Sequence, residues 1–456
     1  MKVINTVITF LHQKISKLRG SKNFEKLLPF LFVATIAVIG TMLLVASSTN
    51  TSSGSLYPKQ GGQNVSGATI PPPPSRDWWH TSGNRILNGS GQNASLRGAD
   101  DGQLNIKDWT STSPAPDATE MKNLSSWGLG FLRLGVTWAN LEPTAPTGTE
   151  SNLAHNWNQV YLTQLDNVVK LARQNNVRVV LDMHQAAGWS PKFGGEGLPG
   201  WLYPNLAACT RGTTCTAENT AHCEFLTNSA ESGVPIQPQT GLISAWQLLA
   251  SRYKADSTVI GLDLFNEPQG CTMHGQSRTF HVPSASDNPL DAFYLQAGSA
   301  VRQVNPNLLL IYEDAAYETY LSQGNVLADK LNLPNAVLSK HYYPDSWSQG
   351  NFPGSCKSVP SPSGQTVLAA YRQQAAQYNQ PLYIGEFDGF RLTRGGGKCP
   401  LLQSVDAASN DLLSMMAYSK TNAINWSLWR YDRSNSMVDS SGNPRQPLIK
   451  DLQTGL

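Results

Sequence analysis

Eight short runs of strand-forming residues, each separated from the next by enough chain for a helix, govern what this sequence can fold into. They are ASLRGA (94–99), LGFLRLGVTW (129–138), VRVVLDMH (177–184), VIGLDLFNE (259–267), LLLIYED (308–314), AVLSKHYY (336–343), PLYIGEF (381–387) and AINWSLW (423–429). Between the second and third, Val160, Leu162, Leu165, Val168, Val169 and Leu171 recur at a roughly helical spacing, which predicts an amphipathic helix over 157–175. Strands alternating with helices predict an α/β fold with a parallel sheet. Eight such units in residues 78–456 match a (β/α)8 TIM barrel with long loop insertions, an architecture that fills about 200 to more than 400 residues. No glycine-rich phosphate turn follows the first run, which disfavours an open doubly wound sheet. The largest insertion, roughly 185–240, holds three of the six cysteines.

A barrel of this kind builds its site at the C-terminal ends of its strands, so reactive side chains should collect there. Arg133 lies in the second run, His184 ends the third, and Asn266 and Glu267 end the fourth. His341 and Tyr343 end the sixth, Glu386 closes the seventh, and Trp426 lies in the eighth. Residues of equal parity on a strand share a face. Asp182 is therefore expected on the face of His184, Asp263 on that of Glu267, and Ile384 on that of Glu386, with Leu181, Met183, Leu262 and Leu264 toward the helices. Asp182 and Asp263 read as buried partners of Arg133 or of backbone groups. Two carboxyl groups at one barrel mouth suit glycoside hydrolysis, in which one protonates the leaving oxygen and the other attacks or activates water. That chemistry needs no metal or other cofactor, and none is expected. Arg133 is expected to hold Glu386 ionised, while apolar surroundings and the neighbouring carboxylate raise Glu267.

These motifs, over roughly residues 80–450, resemble glycoside hydrolase family 5, the cellulase-like retaining hydrolases. LFNEP is similar to the family's acid/base motif, which implies Glu267 as acid/base and Asn266 as the residue that binds the sugar 2-hydroxyl. By the same resemblance, Glu386 in YIGEF is the nucleophile. Arg133, His184, His341 and Tyr343 support the cleaved sugar, and Trp426 lies under it. LDMHQ followed by PKFGGEGLPGW (191–201), together with DLFNEP, is similar to the endoglycoceramidase branch, which cuts between a glycan and ceramide. The expected substrate is a β-glycosidic linkage of a β-glucan or related oligosaccharide. The alternatives are a glycolipid hydrolase of the endoglycoceramidase or glucosylceramidase type and a non-catalytic carbohydrate-binding protein. Trp189 or Trp347 is expected to line a subsite, since aromatic faces stack on pyranose rings.

Residues 27–46, LLPFLFVATIAVIGTMLLVA, form an uncharged run long enough to cross a bilayer. Six basic side chains against Glu25 give residues 1–47 a charge of +5. That bias assigns residues 1–26 to the cytoplasm and everything after Ser47 to the outside. The expected organisation is a basic segment over 1–26, an anchor over 27–47, a Ser/Thr/Gly/Pro linker over 48–77 and a catalytic domain over 78–456, secreted if the anchor is cleaved. The whole chain carries +2, so the part beyond residue 47 carries −3 and offers no electrostatic basis for binding nucleic acid. Cys209, Cys215, Cys223, Cys271, Cys356 and Cys399 all fall on the outward side, which predicts disulfides. Cys356 with Cys399, and pairs within the 209–271 group, are neighbours along the chain. No Cys-x-x-Cys pair suggests zinc.

Overall fold

The computed structural model describes residues 78–149, 152–185, 190–210, 215–268, 271–273, 276–278, 289–313, 330–342, 363–387, 407–431, 437–439 and 441–456. The basic segment, anchor and linker expected before Trp78 lie outside these residues, as do Tyr343, Trp189, Trp347, Cys356 and Cys399. Among the described residues no helix is long and apolar enough to cross a membrane.

Each of the eight runs contributes one strand. They are β1 (Arg97–Asp101), β2 (Phe131–Val136), β3 (Arg178–Met183), β4 (Val259–Asp263), β5 (Leu309–Glu313), β6 (Ala336–Tyr342), β7 (Leu382–Phe387) and β8 (Asn425–Leu428). The strands pair in parallel in chain order, and β8 closes on β1 through Trp426 opposite Arg97, making a closed barrel. Around it run α1 (Ala118–Ser126), α2 (Gln159–Gln174), α3 (Pro238–Arg252), α4 (Pro289–Val304), α5 (Gly364–Tyr378), α6 (Ala407–Thr421) and α7 (Gln446–Gln453).

Local chemistry explains the helix boundaries. The Asn158 side chain accepts from the backbone N–H groups of Val160 and Tyr161 at 3.1 and 3.2 Å, capping α2 where its first N–H groups lack helical partners. The stripe that α2 buries is Tyr161, Leu162, Leu165, Val168, Val169 and Ala172. Val160, expected on that stripe, is 56% exposed, because the long Tyr161 beside it takes the inward position and donates its hydroxyl to the Leu104 carbonyl at 2.7 Å.

Two cores follow from strand alternation. Leu132, Leu134, Leu181, Met183, Leu262, Leu338 and Tyr342 face the helices in the larger one. Inside the barrel, Phe131, Val180, Ile260, Leu309, Ile311, Val337 and Tyr383 form the smaller one. Ile86 joins them from an antiparallel sheet of His80–Ser82, Arg85–Leu87 and Asn93–Ala94, which covers the N-terminal end of the barrel. Burying a side chain of this size contributes about 1.5–3 kcal/mol.

Strict alternation breaks in two strands. Pairing between β3 and β4 skips Ile260, and pairing between β6 and β7 skips Gly385. The second irregularity corrects a sequence expectation. Ile384 packs in the helix-side core, so a regular strand would send Glu386 the same way, but the extra residue at 385 turns Glu386 toward the barrel axis. Glycine is required there, since a Cβ would stand 2.6 Å from Ser339 Oγ and 3.0 Å from His341 Nε2.

The insertion after β3 holds a helix, Thr216–Thr227, and a disulfide between Cys209 and Cys215. Cys223 is also disulfide-bonded.

Candidate active site

One buried guanidinium organises the C-terminal mouth. Arg133 projects inward from the middle of β2 and is 1% exposed. Its Nε donates to Asp263 Oδ2 at 2.9 Å. Nη1 donates to Glu386 Oε1 at 2.9 Å and Asp100 Oδ1 at 3.3 Å, and Nη2 to Asn266 Oδ1 at 2.7 Å and Glu313 Oε1 at 3.2 Å. Asp182 Oδ1 stands 3.0 Å from Nη2. Five carboxyl groups from five strands thus share one cation, and all five N–H groups of the guanidinium are used. Breaking so buried a pairing from the arginine side would cost about 3–5 kcal/mol, because the carboxylates would be left uncompensated.

Glu313 links this cluster to the rim. It closes β5, is 3% exposed, and accepts the Glu267 backbone N–H on Oε2 at 3.0 Å. Its Oε1 also stands 3.1 Å from His341 Nε2. Glu267, four residues past the end of β4, has φ +44°, a left-handed conformation that side chains other than glycine rarely adopt. The hydrogen bond to Glu313 holds it there, and such strain concentrates at functional sites. Asn266 is fully buried. Its amide orientation is fixed by Arg133 on Oδ1, and its Nδ2 has no acceptor among the described residues.

His341, on β6, stands between the two glutamates. Its Nδ1 is 3.0 Å from Glu267 Oε1 and 3.7 Å from Glu386 Oε2. One oxygen of each glutamate and this nitrogen all lie within 4.8 Å of one another. With both ring nitrogens facing carboxylates, the imidazole is favoured in its charged form. Burial opposes this, but Glu313 and Glu386 overcome it and lift His341 well above the usual range. Burial pushes Glu386 up as well, with the charge of Glu267 adding to it against His341 and Arg133. On Glu267 the same burial is outweighed by the hydrogen bond and charge of His341, so it lies below its ordinary value. The expected order, Glu267 raised and Glu386 held ionised, is therefore reversed in the free site. The reason is the hydrogen bond and charge of His341, which act most strongly on Glu267.

His184 follows β3 and donates from Nδ1 to Asp182 Oδ2, 2.8 Å away. Burial would lower its pKa, but Asp182 raises it. Its ring stacks on Trp429 with centroids 5.2 Å apart and planes 6° from parallel. Trp429 is half-buried at the mouth, just beyond β8. Trp426 is not part of this arrangement. It is 1% exposed and packs edge-on against Phe387 in the helix-side core, because the inward positions of β8 belong to Asn425 and Ser427, whose side chains bond across to β7.

The structure thus brings together Arg133, His184, Asn266, Glu267, His341 and Glu386, and it adds Asp100 and Glu313 as partners. Asp182 and Asp263 are bound to Arg133, as expected. Asp100 falls one residue past the run ASLRGA, so strand propensity alone does not reach it. The parity of Gly98 and Asp100 at the end of that run was the signal that marks it.

A model of the cellulase family, glycosyl hydrolase family 5, matches residues 87–435. The chain is 27% identical over 334 residues to an endoglucanase of Paenibacillus polymyxa, covering 69% of this chain and 72% of that one. An endoglycoceramidase of Hydra vulgaris is 25% identical over 262 residues, which are 51% of this chain and 48% of that protein. Among solved structures, an endogalactoceramidase superposes with a TM-score of 0.63 at 21% identity, covering 82% of this chain and 84% of that one. Endo-glycoceramidase II from Rhodococcus sp. superposes with a TM-score of 0.62 at 18% identity, covering 80% of each chain. At such identities the solved structures bear on the barrel alone. The family match extends from just before β1 to just past β8, and on that ground the chain belongs to glycosyl hydrolase family 5 and is a glycoside hydrolase.

Proposed function

We propose that this glycoside hydrolase retains anomeric configuration, with Glu386 as nucleophile and Glu267 as acid/base. One observation carries the reading. Oxygens of the two glutamates lie within 4.8 Å of each other. Retaining enzymes hold their carboxyl groups about 5–5.5 Å apart, whereas inverting enzymes need about 6.5–9.5 Å to admit a water. In the first step a Glu386 oxygen attacks the anomeric carbon, the glycosidic C–O bond breaks, and Glu267 protonates the leaving oxygen. The proton it requires is one transfer away, along the 3.0 Å contact from His341 Nδ1. In the second step water attacks the glycosyl ester, Glu267 takes its proton, and Glu386 leaves. The Nδ2 of Asn266 suits the 2-hydroxyl of the bound sugar, since Arg133 fixes the amide with that donor unpaired. Trp429 takes the aromatic role first given to Trp426.

The substrate we propose is a β-glucan or related β-linked oligosaccharide, in line with the broader coverage of the endoglucanase relative. A glycolipid is the second reading, favoured by the endoglycoceramidase relative and by the PKFGGEGLPGW segment. Digests of cello-oligosaccharides run beside digests of glucosylceramide and lactosylceramide separate the two by their products. We further propose that residues 27–46 anchor the enzyme and that the barrel works outside the cytoplasm. The Cys209–Cys215 disulfide fits an oxidising compartment. Loss of membrane association after deletion of residues 1–47 would support this, and unchanged fractionation would refute it. For the chemistry, Glu267→Ala and Glu386→Ala proteins should lose hydrolysis of aryl β-glycosides. Wild-type rates in either would eliminate the assignment.

A further inference from the structure

We propose that Glu267, His341 and Glu386 bind a single zinc ion as a reversible inhibitor; that occupancy blocks catalysis rests on the roles assigned above, while the metal site itself does not.

Tetrahedral zinc with ligands at about 2.0–2.2 Å sets its donor atoms about 3.3 Å apart. His341 Nδ1 lies 3.0 Å from Glu267 Oε1 and 3.7 Å from Glu386 Oε2, values that bracket this spacing, and the three donor atoms lie within 4.8 Å of one another. The opposite ring nitrogen, Nε2, faces Glu313 Oε1 at 3.1 Å. A carboxylate behind the far nitrogen of a histidine fixes the ring and leaves the near nitrogen as the metal donor, as in the carboxylate–histidine–zinc arrangement.

The charge of the mouth points the same way. Five carboxyl groups, those of Asp100, Asp182, Asp263, Glu313 and Glu386, surround the single guanidinium of Arg133, and a sixth, Glu267, lies against His341. Nδ2 of Asn266 is a fully buried donor without an acceptor, one residue from Glu267, and it suits a water or hydroxide in the fourth zinc position. Two carboxylates and an imidazole favour a borderline cation over magnesium or calcium, which prefer six or more oxygen ligands. Zinc in this position would engage the oxygen of Glu267 that must carry the proton and the Glu386 oxygen facing it. Substrate and metal would therefore exclude each other.

The test is calorimetric titration of zinc chloride into the chelator-treated full chain, with hydrolysis of an aryl β-glycoside followed in parallel. The expected result is one zinc per chain, inhibition competitive with substrate at the same midpoint, and no heat from magnesium chloride. His341→Ala should weaken zinc binding at least about ten-fold. Glu313→Gln, which keeps all three ligands, should weaken it about ten-fold and guards against a misfolded alanine variant, with melting curves confirming both. Zinc affinity unchanged in both variants, or magnesium binding as tightly as zinc, would overturn the site. Zinc bound by the wild type and lost in His341→Ala, with no β-glycoside hydrolysed at all, would uphold the metal site and overturn the catalytic reading instead.

Discussion

The two ends of this barrel are built by the same strands from opposite materials. At the N-terminal end Ile86, Phe131, Val180, Ile260, Leu309 and Ile311 close the interior with apolar side chains. Two residues further along the inward face, Phe131 gives way to Arg133, Val180 to Asp182 and Ile311 to Glu313, and the interior becomes polar and largely ionisable. The apolar start of strands such as β2, β3 and β5 fixes their phase, because reversing it would expose a large side chain. The charged end is then delivered to the mouth without further instruction. The contrast teaches that stability rests mainly on one end and chemistry on the other, with Arg133 as the residue that serves both.

Glu386→Ala should lower kcat/KM on the order of 10^6-fold, the scale seen when a catalytic unit loses its nucleophile. Melting should be nearly unchanged, and both quantities can be read on one preparation. Arg133→Met acts at the junction of the two ends. It should cost about 3–5 kcal/mol in denaturant unfolding and abolish activity together. Ile311→Ala, at the apolar end, should cost about 2–5 kcal/mol while kcat and KM of the folded fraction hold. A fall in kcat matching the loss of stability would end the division of labour. Smaller effects should separate the two tryptophans. Trp429→Ala should raise KM, whereas Trp426→Phe should alter melting and leave KM alone.

Much of this division was legible in the sequence. Seven of the eight strands lie within the runs that their residues predict and β1 overruns its run by two residues, while Asp182 and Asp263 are partners of Arg133, as their parity suggested. What failed did so for local reasons. Period two predicted that Ile384 and Glu386 share a face, and a β-bulge at Gly385 overrules it; a bulge depends on the partner strand, which one segment does not reveal. Trp426 and Trp429 differ only in phase, and the phase of β8 is set by Asn425 and Ser427 bonding across to β7. The ordering of the two glutamates by proton affinity was missed because it depends on His341, 74 residues from Glu267, standing between them.

The mildest test uses pH. Burial, with the charge of Glu313 adding to it against Arg133, pushes Asp263 up to about 8. A carboxyl group raised on folding makes the native state bind more protons than the unfolded chain, whose value is about 3.9. Stability should therefore fall as pH rises from about 4 to about 8. Asp263→Asn, which mimics the protonated form, should flatten that part of the melting profile and cost little at pH 5. A steep loss at pH 5 would mean that Asp263 is ionised there.

The central claim is that Glu386 attacks the anomeric carbon. It is tested most directly by inactivation with an activated 2-deoxy-2-fluoro-β-glycoside, followed by proteolysis and mass spectrometry. A single glycosyl adduct on Glu386, released slowly with retained configuration, is the predicted result. An adduct on another residue, or turnover giving the inverted anomer, would contradict it.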